Sequence, residues 1–153
     1  MAEKALVHRM EQAALTTKIR LLDLAHQTLI HIGGDLSVCD MMTAIWQYAM
    51  HYDVKDPHWE GRDRFYLDPG HMSPMLYSAL ALQGKYTIDD LKTFRQWGTV
   101  CPGHPERDII HGIENTSGPL GQGHTYAVGA AIAEKFLEAR LGSTMMQHKI
   151  YAY

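Results

Sequence analysis

The sequence lacks features that would each point to a specialised class of protein. The 14 lysines and arginines are outnumbered by 17 acidic residues, and the formal net charge is −3. Without a basic stripe, a nucleic-acid partner is not expected. No apolar run approaches the roughly 20 residues that a membrane span needs. With 46% hydrophobic and 20% charged residues, the composition is that of an ordinary globular protein.

Cysteine is also scarce. Cys39 lies in a helical pattern and Cys101 in a loop rich in glycine and proline, and there is no third cysteine. We therefore expect two reduced thiols rather than a disulfide. The first residues, Met1-Ala2-Glu3-Lys4, are not followed by the apolar core of a signal peptide. Both observations favour a cytoplasmic protein.

Hydrophobic periodicity predicts a chain rich in helices. Apolar residues recur at steps of three and four over residues 6–30, which predicts a helix whose buried stripe is Leu15, Ile19, Leu22, Ala25 and Leu29. Ser37, with Asp40 as capping-box partner, is expected to begin a second helix after the break at Gly33-Gly34. Further helices are predicted from Ser73 to Gly84, from Thr87 to about Trp97, and from Gln122 to Leu141.

Two strand candidates separate these helices, residues 65–67 and residues 149–153. Helices alternating with isolated strands indicate a layered α/β fold with a parallel sheet. Two short strands make a small sheet, so we expect either that more strands come from elsewhere or that this chain forms part of a larger domain. The segment 98–123 has little periodicity, and a loop of that length is usually functional or disordered.

Three histidines lie in glycine-flanked turns at the boundaries of the predicted elements: His31 before Gly33-Gly34, His71 after Gly70, and His104 after Gly103. Glycine lets a backbone approach a ligand closely, and a helix that begins nearby points its N–H groups at the same space. We expect the three imidazoles to converge on one polar, anionic ligand. For each histidine taken singly, an ordinary surface or core role is the alternative.

A glycine-rich turn, residues 118–123, opens the last predicted helix and is suited to cradle an anion or a cofactor. It is not a phosphate-binding loop of the Gly-Lys-Ser/Thr type, and it does not follow a strand as a dinucleotide-binding fingerprint does. Taken alone, the turn is equally compatible with a simple loop before a helix.

Together, these motifs resemble the N-terminal region of transketolases, from about Lys18 to the last residue. The order and spacing of the shared motifs match that family rather than the related deoxyxylulose-phosphate synthases, which do not usually carry Pro-Gly-His-Pro-Glu. The shared motifs are His31-Ile32-Gly33-Gly34, residues 63–67 leading to Gly70-His71-Met72-Ser73, Phe94-Arg95-Gln96, Pro102-Gly103-His104-Pro105-Glu106 and residues 112–123.

The resemblance implies the fold and the cofactor. The fold would be the thiamine diphosphate-binding fold, here an incomplete diphosphate-binding domain with a parallel sheet flanked by helices. By resemblance, His71 contacts the diphosphate of thiamine diphosphate. Gly118, Pro119 and Leu120 contact its aminopyrimidine.

The resemblance also implies the reaction. His31 and His104 would line the substrate channel, bond to hydroxyl and carbonyl oxygens of a sugar phosphate, and serve as the catalytic residues. The reaction would move a two-carbon ketol unit from a ketose phosphate to an aldose phosphate. The chain departs from the usual pattern at Ile30, at Asp68-Pro69 and at Met72, where the family commonly has a small residue. We expect Met72 to narrow the cofactor entrance.

In the family, the strand matching residues 149–153 leads into a Gly-Asp-Gly motif that binds Mg²⁺ or Ca²⁺. The chain stops before that motif, so we expect the metal ligands, and the pyrimidine-binding domain, to come from outside these residues. A C-terminal transketolase chain or segment is the expected partner, in a homo- or hetero-oligomer, and the chain alone is expected to be inactive.

Two alternatives remain open at this point. The chain could be a non-catalytic relic or scaffolding module that keeps the transketolase fold. A histidine metal site unrelated to thiamine is the other, although no HxxxH or CxxC spacing supports it.

Overall fold

The computed structural model describes residues 2–142 and 148–153. The helices are α1 (Ala2–Gln27), α2 (Ile32–Ala44), α3 (Ser73–Leu82), α4 (Ile88–Lys92) and α5 (Gln122–Leu141). The strands are β1 (Arg64–Tyr66) and β2 (Ile150–Ala152). A π-helical turn, Ile45–Ala49, extends α2, and a 3₁₀ turn, Gly70–Met72, precedes α3. The chain forms two compact units: the first unit is Met1–Ala49 and His71–Gly103, and the second unit is Met50–Gly70 and His104–Tyr153.

The first unit contains α1 to α4. Helix α1 confirms the predicted helix but not its predicted stripe, because Leu15, Ile19 and Leu22 are each more than half exposed. The buried positions are Ala14, Thr17, Leu21 and Leu24. Thr17 is tolerated there because its hydroxyl donates to the carbonyl of Ala13 at 2.9 Å. The helix has apolar residues on two faces, and periodicity alone does not say which of them the neighbouring helices cover.

Helix α2 begins earlier than predicted, and Ser37 is not its N-cap. The helix starts at Ile32 with His31 as the N-cap, and the two glycines lie inside its first turn. The Ser37 hydroxyl donates to the carbonyl of Gly34 at 2.7 Å, within the helix. Burial of Val38, Cys39 and Met42 outweighs the roughly 1 kcal/mol that each glycine costs in a helix. Met41 and Tyr48, two further apolar residues of this segment, are exposed.

Helices α3 and α4 are close to the predictions. Met72, one residue before the predicted Ser73, is the N-cap of α3, and Gly84 follows the helix at φ 77°. The Ser73 hydroxyl instead donates to the carbonyl of Gly103 at 2.8 Å. Thr87 and Asp90 form the predicted capping box of α4. The helix ends at Lys92 rather than near Trp97, and Arg95 has a positive φ of 64°.

The second unit contains the sheet and α5. Strands β1 and β2 are parallel as predicted, with Arg64 opposite Ile150 and Tyr66 opposite Ala152. Helix α5 has the predicted bounds and contacts both strands. Of its alanines, Ala127 is buried whereas Ala131 and Ala133 are exposed. In the described residues, no helix is both long and apolar enough to traverse a lipid bilayer.

Candidate functional site

Two of the three predicted histidines, His31 and His71, lie together in the first unit. The ring centroids of His31 and His71 are 4.4 Å apart, with an interplanar angle of 43°. His31 is the exposed N-cap of α2, and the half-buried His71 lies in the 3₁₀ turn before α3. Two helix starts therefore present a pair of imidazoles to the same space, as the sequence predicted for these two residues.

A row of contacts joins these two helix starts. One turn along α2 from His31, the Asp35 carboxylate accepts a hydrogen bond from the backbone N–H of Met75 at 3.1 Å. Between these two contacts, a Cβ built on Gly34 would lie 3.7 Å from the Met72 sulfur, so Met72 packs directly on Gly34. Met72 is buried. Its side chain therefore packs between α2 and α3. The narrowing of the cofactor entrance by Met72 stays a prediction.

Asp35 is fully buried, and its second carboxylate oxygen has no partner among the described residues. Burial disfavours the charged form and raises the pKa of this carboxyl to about 7, while the hydrogen bond from Met75 acts in the opposite direction. Between pH 4 and pH 7 the folded chain thus keeps a proton that the unfolded chain has released. The free energy of unfolding falls as pH rises through that interval and levels off above it.

We expect Asp35→Asn to stabilise the chain at pH 8 by about 2 kcal/mol. A shift of about three pKa units corresponds to about 4 kcal/mol. The NH2 group of the asparagine would lack a hydrogen-bond partner in this buried place, and this cost offsets part of the gain in stability. The asparagine oxygen can still accept from Met75. Chemical denaturation at pH 8 and at pH 5 measures the difference, which should nearly vanish at pH 5. Equal pH slopes for the two proteins would contradict a buried, titrating Asp35.

The third predicted histidine, His104, lies in the second unit. It is exposed, on a loop that is hydrogen-bonded to the segment before the glycine-rich turn. Ser117 N–H donates to the Pro105 carbonyl at 3.0 Å, and Arg107 N–H donates to the Thr116 hydroxyl at 2.9 Å. The position of the His104 loop is therefore coupled to that of the turn.

The glycine-rich turn exposes the residues predicted to touch a cofactor. Leu120 is 75% exposed, Pro119 is exposed, and a Cβ on Gly118 would meet nothing within 4 Å. Gly121, the N-cap of α5, has φ 89°, a left-handed conformation that favours glycine. The turn thus combines an accessible apolar side chain with open backbone at the start of a helix.

Two other glycines are required by close packing within the second unit. A Cβ on Gly70 would lie 2.6 Å from the carbonyl oxygen of Ser117, and one on Gly123 would lie 2.2 Å from that of Leu67. The Asn115 side chain contacts the same Leu67, accepting from its N–H at 3.1 Å and donating to its carbonyl at 3.2 Å. These close contacts and hydrogen bonds hold the end of β1 against the glycine-rich turn.

Glu114, which precedes Asn115, lies in a buried cluster of charged side chains. Arg62 and Glu114 are both more than nine-tenths buried and form an ion pair of 2.9 Å, which Arg64 joins at 3.5 Å.

A groove of about 610 Å³ lies beside these residues, along the first turns of α5. Its lining includes Tyr66, Glu114, Asn115, Thr125, Tyr126 and Gly129.

Sequence reasoning missed two polar features. Asp35 lies four residues after His31, and this helical spacing was a signal that it shares the face of that histidine. Asp68 follows β1, and ligands in parallel sheets bind at the carboxyl ends of strands. Asp68 is buried, and its carboxylate accepts from His124 Nδ1 at 2.8 Å at the start of α5. His124 could not be assigned from its position alone.

Both cysteines are free, as predicted, and both are buried. Burial raises the pKa of the Cys101 thiol to about 12, and it raises the pKa of Cys39 as well. A raised pKa lowers the fraction of thiolate, which is the reactive species, at neutral pH. Over residues 2–142 and 148–153, no group of three or more His, Cys, Asp or Glu side chains is placed to hold a metal ion.

Parallel strands packed on α5, together with the other helices of the chain, define an α/β protein. The family model described as "Transketolase, thiamine diphosphate binding domain" matches residues 11–153. The chain belongs to the transketolase family, in its thiamine diphosphate-binding domain.

Individual relatives support this assignment. The transketolase of Geobacillus stearothermophilus is 42% identical over 96% of this chain, and that of Rhodobacter capsulatus is 46% identical over 79% of it. The transketolase structure from Leishmania mexicana aligns with a TM-score of 0.87 at 39% identity, over 94% of this chain. The chain spans 23%, 18% and 22% of the lengths of these three proteins, respectively.

Proposed function

We propose that this chain is one part of a transketolase-type enzyme that moves a two-carbon ketol unit from a ketose phosphate to an aldose phosphate. The observation that carries the proposal is the imidazole pair of His31 and His71, found in a chain of this family. The alternative, a non-catalytic scaffold, gives no reason for two imidazoles to be held together at two helix starts.

The residues present fit part of thiamine diphosphate. The exposed Leu120 beside open backbone at Gly118 suits a flat heterocycle, and an imidazole N–H of His71 suits a diphosphate oxygen. Pro119 would complete the contact with the aminopyrimidine. When bound, thiamine diphosphate supplies the nucleophilic carbon and the electron sink for cleavage of the ketose.

The remaining chemistry falls to the imidazoles. We propose that His31 and His104 donate hydrogen bonds to the hydroxyl and carbonyl oxygens of the sugar phosphate. Developing negative charge on an oxygen is then stabilised, and protons can move between ring nitrogen and substrate. Histidine in general gains and loses a proton near neutral pH, so its side chain suits both hydrogen bonding to an oxygen and proton transfer.

Other parts of the enzyme would come from outside these residues. We propose that Mg²⁺ or Ca²⁺ and its ligands, and the pyrimidine-binding domain, are supplied by a C-terminal transketolase chain or segment in a homo- or hetero-oligomer. The chain alone is then inactive. A cytoplasmic location accords with the two free thiols.

A chimera tests the proposal. The chain is fused to, or mixed with, the part of the Geobacillus stearothermophilus transketolase that this chain does not match, and ketol transfer is assayed with thiamine diphosphate and Mg²⁺. We expect transfer from the chimera, none from either part alone, and loss of transfer when His31 and His71 are both replaced by Ala. A well-folded chimera without transfer would contradict the proposal and favour a scaffold.

A further inference from the structure

Helix α3 carries the His71 turn at its start, yet it has no N-cap side chain of its own. Its N-cap residue is Met72, whose thioether makes no capping hydrogen bond. The first N–H groups of a helix have no partner within that helix, and Ser, Thr, Asp or Asn at the N-cap normally accepts from one of them. The N–H of Met75, at the third position of α3, is such a group.

Asp35 supplies the missing acceptor from a neighbouring helix. Its carboxylate accepts from Met75 N–H at 3.1 Å, the bond that an N-cap side chain would make. A carboxylate at this place also meets the positive end of the α3 dipole. Its own backbone N–H donates to the His31 carbonyl at 3.1 Å, so Asp35 is bonded directly to the residue that carries the first imidazole.

The three contacts between the two helix starts lie in one row. His31, Gly34 and Asp35 share a face of α2, because they are three and four residues apart. They meet His71, Met72 and Met75, in that order. In this row, the bond that Met75 N–H donates to the Asp35 carboxylate is a directional hydrogen bond between the two helix starts.

We propose that Asp35 is a positioning residue: by capping α3 across the interface with α2, it fixes the distance and tilt between the His31 and His71 imidazoles. A fully buried carboxylate with one unpartnered oxygen is costly to retain for stability alone. A specific geometric role accounts for its presence beside the imidazole pair. The consequence for catalysis rests on the proposed function, whereas the geometric claim does not.

The test compares Asp35→Asn, which keeps the acceptor oxygen, with Asp35→Ala, which removes it. Thr87→Ala is the matched control, since it removes the N-cap of α4 in the same unit and leaves the row intact. In NMR spectra of the chain, we expect a cross-relaxation peak between the two imidazoles in wild type, Asp35→Asn and Thr87→Ala. The peak should be lost in Asp35→Ala.

A wild-type measurement stands even if Asp35→Ala does not fold. Met75 N–H should exchange with solvent at least 10-fold more slowly than first-turn N–H groups without an acceptor, and Asp35→Asn should preserve this protection. In the active chimera, Asp35→Ala should lower kcat/KM about 10-fold, with Asp35→Asn and Thr87→Ala within twofold of wild type.

The outcomes separate the two claims. An imidazole cross-peak that persists in Asp35→Ala, or an unprotected Met75 N–H in wild type, would overturn the role of Asp35 whatever the chimera does. A wild-type chimera without ketol transfer would instead overturn the proposed function and leave the NMR result to decide the role of Asp35.

Discussion

Replacing His104 by alanine is expected to lower the turnover of the chimera by about 10²-fold or more. A positioned imidazole contributes about 10²- to 10⁴-fold when it transfers a proton in the transition state. His104 is exposed on a loop whose neighbours are hydrogen-bonded to the glycine-rich turn, so its removal should leave the fold intact. Steady-state kinetics of ketol transfer measure the effect.

His58→Ala is the matched control, because His58 is another exposed histidine in a loop of the second unit. It should leave turnover within about twofold of wild type. If both variants lose activity equally, the effect reports a general disturbance. Unchanged turnover in His104→Ala would remove His104 from the reaction.

Gly123→Ala should destabilise the chain by about 3 kcal/mol or more. The added methyl carbon would lie 2.2 Å from the carbonyl oxygen of Leu67 and 2.6 Å from the Asp68 Cβ, and backbone cannot give way as a flexible side chain does. Overpacking in a well-packed site typically costs about 1–3 kcal/mol, and a contact with backbone lies at the upper end. Chemical denaturation measures the change.

Gly129→Ala, in the same helix, provides the opposite expectation. A Cβ there meets nothing within 4 Å, so helix propensity should stabilise the chain by up to about 1 kcal/mol. Equal stability of the two variants would show that α5 does not pack closely on the end of β1.

Much of this architecture could be predicted from periodicity and local chemistry. The capping box of Thr87 and Asp90 and the bounds of α5 follow from signals that lie within a few residues of sequence. The parallel pairing of the strands follows instead from the order of helices and strands along the chain. The proximity of His31 and His71 agrees with the predicted convergence of three histidines, each in a glycine-flanked turn at an element boundary, for two of the three. Local sequence signals predicted the structure correctly where packing against other elements did not favour a different arrangement.

Other features depended on contacts that the sequence does not display. The face of α1 that is buried, through Leu21 and Leu24, is chosen by the helices packed on it. The start of α2 is decided by burial of Val38 and Met42 against the preference of serine for an N-cap. Asp35 caps a helix 40 residues away, and no local signal connects it with Met75.

The central claim is that this chain holds part of a thiamine diphosphate site, and calorimetry tests it most directly. Thiamine diphosphate with Mg²⁺ is titrated into the chain alone and into the chain mixed with the unmatched part of the Geobacillus stearothermophilus transketolase. We predict binding in the mixture only, weakened when His71 is replaced by Ala. Absence of binding in the mixture, with both chains folded and associated, would contradict the claim.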